Sequence, residues 1–221
     1  MSDAHAIRLD ALRDVGADQL LARLQEISPH SAAHVQRVGA TATLLAERMG
    51  MDSMTAAGVG FTGVLHDIGK TDEAIARIVN TPHRLTPEAR EIVDRHTWVG
   101  GRLIADLFSD SANMDYDAML ADARFVAEHH HDPFAALEVT AATVGDERLL
   151  AVTKLIRITD VLDAVRDPDR PYRREPLSPE EARYLLLDTM GLREVKIFGA
   201  LPEDVLDWAE ELTEEALSQA A

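Results

Sequence analysis

Helix-start signals recur along this sequence and constrain its fold more than any other feature. Ser28-Pro29, Thr86-Pro87 and Ser178-Pro179 each join a helix-capping side chain to a proline. Proline suits the first helical turn because its missing N–H is not needed there, and a preceding Ser or Thr can satisfy free backbone donors. Alternating apolar and polar runs, which indicate β-strands, are scarce. We therefore predict an all-α fold.

The spacing of apolar residues predicts individual helices between these signals. One helix runs from Pro29 to Met49, where apolar side chains recur at steps of three and four residues and form one stripe. The helix opened by Thr86-Pro87 is predicted to continue to about Phe108, and Pro202 begins an acidic last helix. Three glycines in the helix after Asp52 suggest close approach by another helix or a ligand, although packing alone is an alternative: Gly58, Gly60 and Gly63.

These signals predict a bundle of about seven to nine helices. Residues 1–27 are expected to form lead-in helices, and residues 28–221 the main domain. The formal net charge of −17 repels nucleic-acid polymers and anionic membranes, so neither is an expected partner. No Cys is present, which excludes disulfides and thiolate metal sites. No apolar run approaches the roughly 20 residues of a membrane helix, and we expect a cytoplasmic protein.

Histidines and acids occur in an order that suits a metal site. The set contains His34, the pair His66-Asp67, His96, the run His129-His130-His131 and Asp160. Imidazole and carboxylate ligands suit Fe, Mn, Ni or Zn, and Mg less well. For any single histidine a structural role is the more frequent one. Asp160 lies in an apolar helix and needs a metal or a salt bridge, for which Arg157 and Arg166 are the alternatives.

Besides the order of His34, His66-Asp67 and Asp160, five ordered segments form a recognisable set: His66-Asp67-Ile68-Gly69-Lys70, residues 80–88, His96 to Gly100, Thr159-Asp160-Val161-Leu162-Asp163-Ala164 and Asp169-Arg170-Pro171-Tyr172-Arg173. This set resembles the HD superfamily of metal-dependent phosphohydrolases, and most closely its HD-GYP branch of cyclic di-GMP phosphodiesterases. The resemblance covers about residues 28–200 and implies a helical HD-domain bundle.

One motif of that branch is missing. Where HD-GYP domains have His-His-Glu followed by Gly-Tyr-Pro, this chain reads His130-His131-Asp132 and continues without Gly-Tyr-Pro. In the family that loop borders the substrate site. Because the loop is replaced here, the sequence does not decide whether cyclic di-GMP is the substrate. The alignment of the histidine pair has an alternative one residue earlier, in which the pair is His129-His130 instead of His130-His131.

The resemblance implies a centre of two divalent ions, with Fe, Mn, Ni and Mg as candidates. By position, His34, His66, Asp67 and Asp160 would hold one ion, and His96, His130 and His131 the other, with Asp67 shared. Asp67 and Lys70 would be catalytic, with Lys70 as a phosphate contact or leaving-group acid. The alternative for Lys70 is a solvated surface lysine.

Arg170 and Arg173 are expected to bind the phosphate, because guanidinium groups fit phosphate oxygens. The alternative for these arginines is pairing with neighbouring acids such as Asp167 and Asp169. The expected function is hydrolysis of a phosphate ester, with a nucleotide such as cyclic di-GMP as the small-molecule partner. Two alternatives are a catalytically degenerate module that binds a nucleotide or a partner protein in signalling, and a di-iron oxygenase. A regulatory protein partner and a homodimer are further expectations.

Overall fold

The computed structural model describes residues 3–110, 116–137, 139, 145–169, 175–195 and 197–220, and regular structure in these ranges is helical. Eleven α-helices of the described chain follow in this order: α1 Asp3–Asp14, α2 Ala17–Ile27, α3 Pro29–Arg48, α4 Ser53–Leu65, α5 Glu73–Val79, α6 Pro87–Asp94, α7 His96–Asp110, α8 Asp117–His129, α9 Glu147–Arg166, α10 Pro179–Tyr184 and α11 Pro202–Ala220. A 3-10 helix over Ile68–Thr71 follows α4, and a π-helical turn, Leu185–Thr189, follows α10. The all-α prediction is confirmed, but the predicted number of helices is too low.

The extra helices arise at short breaks that apolar spacing does not reveal. Gly16 separates α1 from α2 and adopts a left-handed conformation with φ 73°. The helix predicted from Thr86-Pro87 to about Phe108 is two helices, because α6 ends at Asp94 and α7 begins at His96. A break of one or two residues hardly disturbs a 3.6-residue period, and a pattern that continues across it is read as one helix.

The predicted helix starts lie where the sequence placed them, with one difference in chemistry. The Thr86 side chain accepts a hydrogen bond from the Ala89 N–H, and Ser178 forms a capping box with Glu181. Ser28 precedes α3 as predicted, but its hydroxyl donates to Asn80 Oδ1 at 2.7 Å instead of capping the backbone. The start of α3 is therefore tied to the end of α5.

The pair α3 and α4 lies at the centre of the bundle. Both helices contribute side chains to two apolar clusters. One cluster also contains residues of α9, α10 and α11, and the other contains residues of α1, α2, α7 and α8. Ligands carried by α3, α4, α7, α8 and α9 can therefore meet in the interior.

Gly60 and Gly63 allow α4 to approach α3 closely, which confirms the predicted close approach of another helix at these two positions. A methyl group added to Gly39 would lie 2.8 Å from the Gly60 carbonyl oxygen, and one added to Gly63 would lie 3.0 Å from the Gly39 Cα. Gly58 is different, since a methyl group there would meet the Met119 side chain at an ordinary 3.8 Å.

None of the helices within the described ranges combines the length and the apolar character needed to cross a bilayer.

Candidate metal centre

His34 projects from the second turn of α3 towards the end of α9. Its side chain is buried, and its Nε2 lies 3.1 Å from Asp160 Oδ1 and 3.5 Å from Asp67 Oδ2. The other ring nitrogen, Nδ1, lies 2.6 Å from Asp163 Oδ2. A carboxylate only accepts hydrogen bonds, so Nδ1 donates its proton to Asp163, and Nε2, which faces Asp67 and Asp160, is the nitrogen that would bind an ion.

His66 and Asp67 lie at the break between α4 and the 3-10 helix Ile68–Thr71. This break lets both side chains point inward, where they are at most 1% exposed. His66 donates from Nδ1 to the Gly63 carbonyl at 2.7 Å, and its Nε2 lies 3.4 Å from Asp67 Oδ2 and 3.7 Å from Asp160 Oδ1.

The charges around His66 favour a cation at this point. Burial lowers the pKa of His66, but the Asp67 and Asp160 carboxylates outweigh it and raise that pKa to about 10. For Asp160 burial acts in the opposite direction, yet hydrogen bonds and charge from His34 and His66 hold its pKa well below the ordinary value. Two ionised carboxylates in a buried position stabilise a proton or a metal ion alike.

Four side chains therefore form a first ligand group. One ligand atom from each of His34, His66, Asp67 and Asp160 lies within 4.8 Å of the others. The alternatives for Asp160 are wrong, since Arg157 donates to the His130 carbonyl and Arg166 donates to Glu214 and the Leu177 carbonyl.

Three imidazoles from α7 and the end of α8 form a second group. Ring nitrogens of His96, His130 and His131 lie within 4.8 Å of one another. His96 donates from Nδ1 to the Val93 carbonyl at 2.6 Å, which directs its Nε2 to a point 3.3 Å from His130 Nε2. Burial and the neighbouring histidines keep the pKa of His130 well below its ordinary value, so its ring is neutral and can donate a lone pair.

The structure places His131, and not His129, beside His96 and His130. His131 belongs to the second group, and 39% of its side chain is exposed at the rim of the site. His129 instead directs Nδ1 to Asp132 Oδ2 at 2.8 Å. The side chains that meet here are those of His130 and His131.

Asp67 stands between the two groups. Its Oδ2 faces His34 and His66, while its Oδ1 lies 2.9 Å from His96 Nε2 and 3.7 Å from His130 Nε2. The carboxyl is buried, but the Lys70, His66 and His96 charges outweigh that burial and hold its pKa well below the ordinary value. An ionised carboxylate with one oxygen towards each group has the chemistry of a bridging ligand.

Two buried atoms at this centre fit a metal ion. His66 Nε2 and Asp67 Oδ1 are shielded from solvent and form no hydrogen bond within the described residues, although His96 Nε2 lies 2.9 Å from Asp67 Oδ1. Buried polar atoms are almost always satisfied, and an exception calls for a bound ion or another explanation. Imidazole nitrogens and carboxylate oxygens are also the donor set that first-row divalent ions bind.

Lys70 is buried against the centre, so the alternative of a solvated surface lysine is wrong. Only 7% of the residue is exposed, and its Nζ donates to Asp67 Oδ2. Arg170 and Arg173 lie outside the described residues. Asp167, offered as an ion-pair partner for them, accepts a hydrogen bond from Arg37 at 2.6 Å.

The segment in place of Gly-Tyr-Pro is anchored in the core. Phe134 and Leu137 are fully buried, and the Arg157 guanidinium lies over the Phe134 ring with its Cζ 5.5 Å from the ring centroid. Phe134 and Leu137 therefore face the protein interior, whereas Ala135 and Ala136 between them are exposed.

Arg37 contributes to the site and was not predicted from the sequence. It follows His34 by three residues on α3 and donates two hydrogen bonds to Asp163. An arginine one helical turn after a ligand histidine is a weak signal, because its partner lies 126 residues further along the chain.

Comparison with known proteins identifies the family. The model of the HD domain matches residues 32–166, which include both ligand groups. A cyclic di-GMP phosphodiesterase of Thermotoga maritima is 36% identical over 164 residues, 74% of this chain and 40% of that protein. A cyclic di-GMP phosphodiesterase of Pseudomonas aeruginosa is 29% identical over 170 residues, 76% of this chain and 38% of that protein.

The chain thus spans about two fifths of the length of the curated relatives it matches. The resemblance to the HD superfamily is confirmed, since the matched region covers more than half of the chain and contains the candidate ligand residues from His34 to Asp160. This chain belongs to the HD domain family.

Proposed function

We propose that this protein is a metal-dependent phosphohydrolase that cleaves a phosphodiester, with a cyclic dinucleotide such as cyclic di-GMP as substrate. The observation that carries the proposal is Asp67, whose two carboxylate oxygens face two separate ligand groups. The names of both curated relatives support the choice of substrate.

The first ion would be held by His34, His66, Asp67 and Asp160, and the second by His96, His130, His131 and Asp67. Divalent ions in these positions would activate water and neutralise charge on phosphoryl oxygens. The mixed imidazole and carboxylate set suits Fe, Mn or Ni better than Mg. His131 lies at the exposed rim, so substrate would approach from its side of the centre.

Lys70 supplies a positive charge next to the proposed reaction site. Its ammonium group is held by Asp67 Oδ2 and can turn towards a phosphoryl oxygen without leaving the buried site. In that position it binds the phosphate or donates a proton to the departing oxygen. Arg170 and Arg173 add guanidinium groups for the phosphate, which a protein with a net charge of −17 needs locally to bind an anion.

Metal content and turnover test the proposal together. The purified protein is loaded anaerobically with Fe, Mn, Ni or Mg, and its metal is measured by mass spectrometry. Hydrolysis of cyclic di-GMP and of bis-p-nitrophenyl phosphate is then followed. We expect metal binding and turnover in the wild type and loss of both in Asp67→Ala. The control is Asp122→Asn, which alters an Asp–Arg pair between α8 and α9.

Lys70→Gln separates the roles of Lys70. A phosphate contact predicts a higher KM, whereas a leaving-group acid predicts a lower kcat and loss of the basic limb of the pH profile. A protein that binds cyclic di-GMP but hydrolyses neither ester with any of the four metals is a binding module, and the proposed activity is then wrong.

A further inference from the structure

The outer nitrogen of His34 has a dedicated partner. His34 Nδ1 donates to Asp163 Oδ2 at 2.6 Å, while Nε2 faces the first ligand group. Asp163 lies on α9, three residues after Asp160, and is only 3% exposed. Because residues three apart share a helix face, Asp160 and Asp163 reach the same imidazole from one helix and contact its two opposite nitrogens.

Asp163 is itself held in place by α3. Arg37 donates from Nε to Asp163 Oδ1 at 2.6 Å and from a terminal nitrogen to Asp163 Oδ2 at 2.8 Å. This bidentate pairing fixes the plane of the carboxylate, which a single hydrogen bond does not. His34 and Arg37 lie one turn apart on α3, so the same helix positions the histidine and the arginine that holds Asp163.

The same guanidinium extends the network beyond Asp163. Its terminal nitrogen also donates to Asp167 Oδ2 at 2.6 Å, and Asp167 Oδ1 accepts from the Asp169 N–H at 2.9 Å. Asp167 follows the last residue of α9 and begins the segment that carries Arg170 and Arg173. Arg37 therefore connects the first ligand group to the start of that arginine segment.

We propose that Asp163 is a positioning residue of the metal centre, which keeps the His34 proton on Nδ1 and aims Nε2 at the ion, and that Arg37 holds Asp163 in that role. The inference rests on the proposed function in one respect, that the group around His34 binds an ion. Outer partners of ligand histidines typically change metal affinity by about 10- to 100-fold when removed.

Two measurements test this assignment. Mn²⁺ and Ni²⁺ affinities are determined by calorimetry for metal-free wild type, Asp163→Asn, Asp163→Ala and Arg37→Lys. The proton position on His34 is read from ¹⁵N NMR of the metal-free proteins. The wild type should show Nδ1–H. Asp163→Ala should bind metal about 10- to 100-fold more weakly and lose the preference for Nδ1–H. Asp163→Asn keeps an acceptor oxygen and should fall between the two.

Arg37→Lys removes the fork but keeps the charge, so it should weaken metal binding while Nδ1–H persists. Asp122→Asn is the matched control, since it alters an Asp–Arg fork of the same kind between two helices. Circular dichroism establishes that each variant is folded, and Asp163→Asn carries the test if Asp163→Ala does not fold.

The outcomes separate this inference from the proposed function. A wild type that binds neither Mn²⁺ nor Ni²⁺ here, and none of the four metals in the loading experiment, overturns the proposed function, and the proton on His34 Nδ1 then still tests the contact with Asp163. A wild type that binds metal together with a folded Asp163 variant of equal affinity and unchanged proton position overturns the inference alone.

Discussion

At the scale of single residues, the candidate ligands were found from the sequence, whereas the residues that hold them in place were not. His34, His66-Asp67 and Asp160 have a recognisable order, and imidazole and carboxylate donors have limited alternatives when buried. Asp163 lies in a segment that matches the family, but its pairing with Arg37 carries no such signal, because this contact exists only when α3 packs on α9. For the same reason Arg157 and Arg166 were plausible partners of Asp160 in sequence and contact other groups in the structure.

The two neighbours of His130 give a residue-scale prediction. His131→Ala should reduce the bound metal from two ions per chain towards one, because a ligand of the second group is lost. His129→Ala removes a ring that contacts Asp132 and should retain both ions. Metal per chain after gel filtration measures the difference. Equal loss in both variants, or loss in His129→Ala alone, would contradict the assignment of the pair.

At the scale of elements, the capping residues in the sequence predicted where helices start, but apolar spacing did not reveal the breaks between consecutive helices. Thr86 and Ser178 cap their helices through side chains only a few residues away, so sequence alone suffices. The break at Arg95 depends on how α6 and α7 pack, and the end of α4 at Leu65 depends on His66 and Asp67 turning inward. Tertiary contacts determine these boundaries, and apolar spacing does not encode them.

A pair of glycine variants tests packing at this scale. A methyl group on Gly69 would clash with the His96 carbonyl oxygen and lie 2.7 Å from the Gly100 nitrogen, both backbone atoms of α7. Gly69→Ala should therefore lower the free energy of unfolding by roughly 1–3 kcal/mol and displace His96. Gly58→Ala is the control, since it has room inside α4 and should be neutral or stabilise by about 0.5–1 kcal/mol.

Urea unfolding curves measure both variants. A Gly69→Ala protein as stable as the wild type would mean that α7 does not press against the 3-10 helix as closely as described.

At the scale of the whole molecule, the fold class followed from composition and pattern. Scarce strand signals and repeated cap-proline pairs led to the all-α prediction, and the net charge of −17 argued against nucleic-acid polymers. The convergence of side chains from five helices on one site was predicted only from the family resemblance. No local sequence pattern encodes which helix faces meet in the interior.

Metal removal gives the prediction for the whole molecule. When the free ion concentration is about 1,000 times the Kd, binding to the folded state stabilises that state by about 4 kcal/mol. For a chain of this size each kcal/mol corresponds to roughly 2–4 °C in Tm. Chelation of a metal-loaded sample should therefore lower Tm by roughly 8–16 °C, as measured by calorimetry. Asp67→Ala should show no such shift, and an unchanged wild-type Tm would contradict a tightly held ion.

The distance along the chain between His34 and Asp160 has a consequence for biosynthesis. These two side chains contact each other across 126 residues, so the ribosome must extend the chain well past α8 before the first ligand group is complete. Cations that meet the nascent polypeptide encounter scattered imidazoles and no closed cage. An ion held by this group would therefore be bound only after α9 has been released and folded.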